Sequence, residues 1–252
     1  MRKSLIVGVF AVIAVSGGLA SYLGLLAYRH VAQAKQESRN IELAIRPTPV
    51  NPALPFVLII GDSISVSYTL PVRLRLEGIA NVMRPLENCG STLMILQNLD
   101  RWLGQTKWAV IHFNAGLHDL EHVQSENIAP GQQIMVPIAK GHRWISVESY
   151  RANLEKIVER LEKTGAKLVF ATTTPVPAGE PNRVPEDVAL YNDAALAVMR
   201  AHGVPIDDLN SAAVESACRF QKPQDVHFYQ EGSDILAEHV AASIKAALPG
   251  QL

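Results

Sequence analysis

Phe56-Val57-Leu58-Ile59-Ile60-Gly61-Asp62-Ser63 is the stretch on which the reading of this chain turns. Five consecutive apolar residues that stop at Gly-Asp-Ser describe a strand buried on both faces and closed by a turn. Trp108 to Phe113 and Lys167 to Ala171 repeat the pattern. Between the last two, Tyr150, Leu154, Ile157, Val158 and Leu161 follow helical spacing up to Gly165. A second such face, Ile235, Leu236, Val240 and Ile244, marks the final helix. Helices also fit Leu93 to Leu103 and Val188 to Ala201, and Val82 and Val204 to Ile206 are weaker strand signals. Strands separated by helices predict an α/β body, a parallel sheet between two helical layers joined by right-handed crossovers. Such sheets bind ligands at the carboxyl ends of their strands.

Composition narrows the function. The chain has 252 residues, 48% apolar and 19% charged, with a formal net charge of −1. That balance excludes a disordered acidic tail, a collagen-like repeat and a basic nucleic-acid binder. Two cysteines are too few for a disulfide scaffold or a four-cysteine zinc site. Ahead of the body, Arg2 and Lys3 precede an uncharged, mostly apolar stretch from Ser4 to Tyr28, long enough to cross a hydrocarbon core of about 30 Å. The stretch predicts a signal anchor that holds an exported body at the membrane; the alternative is a cleaved signal peptide ending near Gly18-Leu19-Ala20. Residues 31–55, with Pro47, Pro49, Pro52 and Pro55, predict an extended linker. The expected organisation is therefore 1–30 anchor or signal peptide, 31–55 linker, and 56–252 globular domain. Glu121 to Ser146 is a connection of about 26 residues without a clear period. It predicts either a surface insertion with a hairpin around Ile134 to Ile145, or a rim over the site to which Trp144 contributes.

Ser63, directly after a buried strand and before a helix, places a hydroxyl and helix N-terminal amides beside one small volume, as a nucleophile with an oxyanion partner needs. Asp62 or Ser63 as a simple helix cap is the alternative. A serine needs a base. His227 in Pro223-Gln224-Asp225-Val226-His227-Phe228 is the candidate, because Asp225 can fix its tautomer. His118, Asp119 and His122, with His112 near in sequence, also suggest a metal set. The residue after the first histidine is an aspartate, however, and the run reads as strand into loop, so no metal site is expected.

Gly61-Asp62-Ser63, the glycine of Asn88-Cys89-Gly90-Ser91-Thr92, the block Asn114-Ala115-Gly116-Leu117-His118-Asp119, and Asp225-Val226-His227 occur in order. In that order they resemble the four blocks of the SGNH hydrolases, the GDSL esterase and lipase superfamily, over Phe56 to about Leu248. The resemblance implies a three-layer α/β/α, flavodoxin-like fold and cofactor-free ester hydrolysis through a serine. It implies Ser63 as nucleophile, His227 as general base and then acid, Asp225 as its orienter, and an oxyanion hole from the Ser63 and Gly90 amides and a third-block side chain. That block usually reads Gly-x-Asn-Asp; here His118 stands where the asparagine donor is expected, with Asn114 as the alternative. The last block usually places its aspartate three residues before the histidine, where this chain has Gln224.

The expected substrate is an ester of a short acyl group such as acetyl, on a small molecule or a glycan. Acyl transfer to a sugar hydroxyl and a non-catalytic carbohydrate-binding module are the alternatives. Asp62, Thr173 and Trp144 are expected to line the substrate pocket. In an exported body Cys89 and Cys218, beside the second and fourth blocks, can pair in a disulfide or stand as two free thiols.

Overall fold

The computed structural model describes residues 35–125 and 129–250. The chain divides into two compact units, residues 1–40 and 41–252. The expected anchor, Ser4 to Tyr28, lies outside the described residues, among which no helix is long and apolar enough to cross a membrane. The linker expected over 31–55 departs from its prediction. It holds a helix, α1, over 35–44, because Lys35, Gln36, Glu37, Glu42, Leu43 and Ala44 favour helix and the first proline comes only at Pro47.

In the second unit, β1 (Phe56–Ile60), β2 (Asn81–Met83), β3 (Trp108–Phe113), β6 (Lys167–Ala171) and β7 (Ile206–Asp207) form one parallel sheet in the order β2-β1-β3-β6-β7. Counting only these five strands, this is the 2-1-3-4-5 order of flavodoxin-like sheets. Helices α2 (Ser63–Arg75) and α7 (Gln230–Ala247) pack together, as do α3 (Thr92–Leu103), α4 (Val147–Glu162) and α5 (Asp187–Ala201). A short helix, α6 (Leu209–Ala212), follows β7. The apolar runs read from the sequence fill the core: Val57, Ile59, Ile60, Val110, Ile111, Phe170, Leu154, Ile157, Val240 and Ile244 are fully buried.

The long connection forms a two-residue antiparallel ladder of β4 (His122–Val123) with β5 (His142–Arg143). The hairpin expected within 134–145 is thus made from the two ends of the segment, since Val123 also bridges Met135 and Val136 N–H donates to the His122 carbonyl. Trp144 and Ile145 turn into the core, so Trp144 is packing and not a pocket wall. Arg143 leaves the ladder to make a bidentate ion pair with Asp187 at the start of α5 (2.6 and 2.7 Å).

Candidate active site

The strand order reverses between β1 and β3, so a crevice opens beyond their carboxyl ends. The loops that follow these two strands carry the first and third sequence blocks. Asp62 is the N-cap of α2, and its Oδ1 accepts from Ile64 N–H at 3.0 Å. Ser63 is thereby the first helical residue, half-buried, with an N–H that no carbonyl of its own helix can take. Gly61 permits this tight start, since a Cβ there would lie 2.9 Å from the Ser65 side chain.

The fourth block arrives on a turn between Gln221 and Phe228, which bridge as an isolated ladder pair. Asp225 N–H donates to the Lys222 carbonyl, Pro223 holds the second position, and Gln224 has φ 56°, the pattern of a type II turn. That geometry lifts Asp225 against the ring two residues on. Its Oδ1 accepts from His227 N–H at 3.0 Å and lies 2.6 Å from His227 Nδ1. On the far side of the ring, His227 Nε2 is 2.8 Å from Ser63 Oγ. Partial burial pushes the Asp225 carboxyl up, but the His227 backbone and ring and the Lys222 charge outweigh it and hold it below its ordinary value. A carboxylate held ionised against Nδ1 leaves Nε2 free to take the hydroxyl proton.

The expected oxyanion donors are placed unevenly. Gly90 sits at φ 59°, where a Cβ would lie 2.3 Å from Met94 Sδ, yet its N–H donates to Asn88 Oδ1 at 2.9 Å. An oxyanion must displace that side chain to use the amide. Asn114, the alternative donor, spends one amide N–H on the Ala171 carbonyl at 2.8 Å, which ties β3 to β6. His118 is partly exposed, with Nδ1 3.2 Å from Glu121 Oε1. Glu121 is itself buried against Arg183, which also binds Glu180 Oε1 at 2.7 Å and the Leu117 carbonyl at 2.8 Å. Burial raises the Glu121 carboxyl, against the opposing pull of His118 and Arg183.

Other expected site residues turn inward. Asp62 is 1% exposed and serves as a cap; Thr173, also 1% exposed, donates its hydroxyl to the Ala115 carbonyl and has its backbone held by Asn192. Neither side chain meets the crevice as a pocket wall. Cys89 and Cys218 are free thiols, so the disulfide is not formed: Cys89 is fully buried under the second block, its thiol pushed up to about 11 chiefly by burial. The residues weighed for a metal go to separate partners, His112 to Asp207, Asp119 to Thr92 and His122 to the Asn182 carbonyl.

Several supporting residues carry little or no sequence signal. Buried Arg84 donates to Ser65 Oγ and Thr69 Oγ1 (both 3.0 Å) and to the Gly61 and Glu87 carbonyls (both 3.2 Å), joining the first block to the loop before the second. Asp119 accepts from the Thr92 N–H and hydroxyl at the start of α3, which clasps the third block to the second. Asn88, two residues before Gly90, and Glu121, three after His118, were within reach of local spacing rules. Arg84 and Arg183 were not.

Solved structures share this fold. A lipase/acylhydrolase from Enterococcus faecalis matches with TM-score 0.62 at 19% identity, over 79% of this chain and 99% of its own. An acetyl xylan esterase matches with TM-score 0.58 at 13% identity (75% and 99%), and a GDSL-like lipase from Bacteroides thetaiotaomicron with 0.56 at 16% (85% and 98%). No curated protein matches the sequence. The model of the GDSL-like lipase/acylhydrolase family matches residues 59–235. With that match over most of its length, and with the three-layer parallel fold beneath it, this chain belongs to the GDSL-like lipase/acylhydrolase family and is an ester hydrolase.

Proposed function

We propose that the chain is a serine esterase that removes a short acyl group from an alcohol, with Ser63, His227 and Asp225 as its catalytic residues. The observation that supports this most is the continuous hydrogen-bond chain from Ser63 Oγ through both ring nitrogens of His227 to Asp225. Ser63 Oγ attacks the ester carbonyl as its proton passes to His227 Nε2, and the Asp225 carboxylate steadies the imidazolium through Nδ1–H. Collapse of the tetrahedral intermediate breaks the bond to the alcohol oxygen, which takes the proton from Nε2. Water then repeats the sequence on the acyl-enzyme and releases the acid.

The oxyanion meets the Ser63 N–H, the Gly90 N–H once Asn88 turns away, and His118 Nε2–H. Glu121, with Oε1 3.2 Å from His118 Nδ1, orients the ring for that donation. Hydrolysis is favoured over acyl transfer because the His227 and Asp225 side chains are 39% and 45% exposed, so water reaches the acyl-enzyme. The intact proton chain speaks against a purely carbohydrate-binding role. An acetylated glycan is the proposed substrate: half-buried Asn88 and His118 give the strand ends polar groups, and an acetyl xylan esterase shares the fold. Ser4 to Tyr28 is proposed to anchor the domain at the membrane on its exported side, a placement read by protease accessibility in intact cells.

The test is turnover of acetylated sugars and of aryl esters of increasing chain length. Ser63→Ala should lower kcat by about 10⁴ to 10⁶, with acetyl esters preferred over octanoyl. Undiminished turnover by Ser63→Ala would reject the assignment, and preference for long acyl chains would reject the substrate class.

A further inference from the structure

Four buried side-chain polar atoms have no hydrogen-bond partner among the described residues: Asp62 Oδ2, Tyr68 OH, His112 Nδ1 and Thr174 Oγ1. They are not scattered. Asp62, Tyr68 and Thr174 line one internal cavity together with Asn114, Leu117 and Leu209. The His112 ring stands nearly perpendicular to that of Tyr68, with centroids 6.4 Å apart.

A stranded buried oxygen is destabilising, and three at one spot weigh heavily on a marginally stable domain. The three groups do not satisfy one another directly, yet their chemistry is complementary. A carboxylate oxygen only accepts, while a phenol and a threonine hydroxyl can both donate. Burial, with the charges of Asp62 and Asp207, pushes the Tyr68 hydroxyl well above its usual value, so it stays a donor. The cavity measures about 10 Å³, close to the room one water needs by the same measure, about 10–15 Å³.

We infer that this cavity is a built-in site for a single water molecule, which accepts from Tyr68 O–H, donates to Asp62 Oδ2 and bonds Thr174 Oγ1. The water has a positional consequence. Asp62 Oδ1 already caps α2 through Ile64 N–H; fixing Oδ2 as well locks the carboxylate, and with it the backbone on which Ser63 presents its N–H and hydroxyl. Tyr68 and Thr174 then act as positioning residues, through the water and Asp62. This role rests on Ser63 being the nucleophile, whereas the water site itself does not.

The experiment is a crystal structure of the full chain at about 1.5 Å resolution, paired with kinetics of Tyr68→Phe, Thr174→Val and Thr174→Ser. The expected result is one ordered water within hydrogen-bond reach of all three oxygens. Tyr68→Phe and Thr174→Val should each lose it and lower kcat about tenfold with KM nearly unchanged, and Thr174→Ser should restore both. A wild-type cavity without that density overturns the inference, as does unchanged kcat in a variant that has lost the water. Since the density is read without activity, this failure is distinct from failure of the Ser63 assignment, which shows as turnover surviving Ser63→Ala.

Discussion

Asp225 stands one residue nearer His227 than the family pattern places its aspartate, and the backbone explains how it still reaches the ring. Pro223 and the positive φ of Gln224 turn the chain so that one carboxylate oxygen meets both the backbone N–H and Nδ1 of His227. Gln224, at the usual position, instead lies with its side chain against Gly179. Because the Asp225 carboxyl is held below its ordinary value, its loss of charge should not limit activity until the pH falls below about 4. Asp225→Asn should lower kcat by about 10² to 10⁴ with little change in KM, read from steady-state kinetics of the purified variant. Glu121→Gln removes the carboxyl oxygen that lies 3.2 Å from His118 Nδ1 and orients its ring. Its kcat/KM should fall about tenfold, read from steady-state kinetics; an unchanged kcat/KM would separate Glu121 from the reaction.

Among elements, the loops after β1, β2 and β3 are held by buried charge, and this was the least legible part of the sequence. Arg84 shows no periodic or motif signal, since only the folded sheet brings Gly61 and Glu87 to one guanidinium. Arg84→Met should destabilise the domain by about 2–4 kcal/mol through stranded carbonyls and hydroxyls, measured as a shift in the urea midpoint. Asp119 gives a pH signature. Its carboxyl is pushed up to about 7, mainly by burial and against the two Thr92 hydrogen bonds, whereas in the unfolded chain it ionises near about 3.9. The folded state therefore binds the proton more tightly, and this contribution is fully present below about pH 4 and lost as pH rises to about 7. Asp119→Asn should remove up to about 1.4 kcal/mol per pH unit of decline over that window. Parallel stability profiles for the two proteins would contradict this.

At the scale of the whole molecule, the fold was legible because the central strands are mostly apolar, broken by buried His112 in β3 and opened by exposed Lys167 in β6, and two of them end where the chemistry begins. Phe56–Ile60 ends at Ser63 and Trp108–Phe113 ends at the third block; the register of β1 on β3, with Ile60 opposite Phe113, brings those ends level. The weaker strands were less clear, and β7 is only Ile206–Asp207. What sequence order could not convey was burial. Trp144, Thr173 and Asp62 stand beside functional segments, yet core contacts, a carbonyl and a helix end claim them. Cys89 and Cys218 flank two blocks but do not pair.

Activation of Ser63 by His227 is read at the residue itself by covalent labelling. The folded chain is treated with a fluorophosphonate and its intact mass and peptide map are recorded. One adduct per chain is expected, on Ser63, absent in Ser63→Ala and slowed by about 10³ or more in His227→Ala. A folded protein that stays unlabelled, or one labelled at another residue, would contradict it.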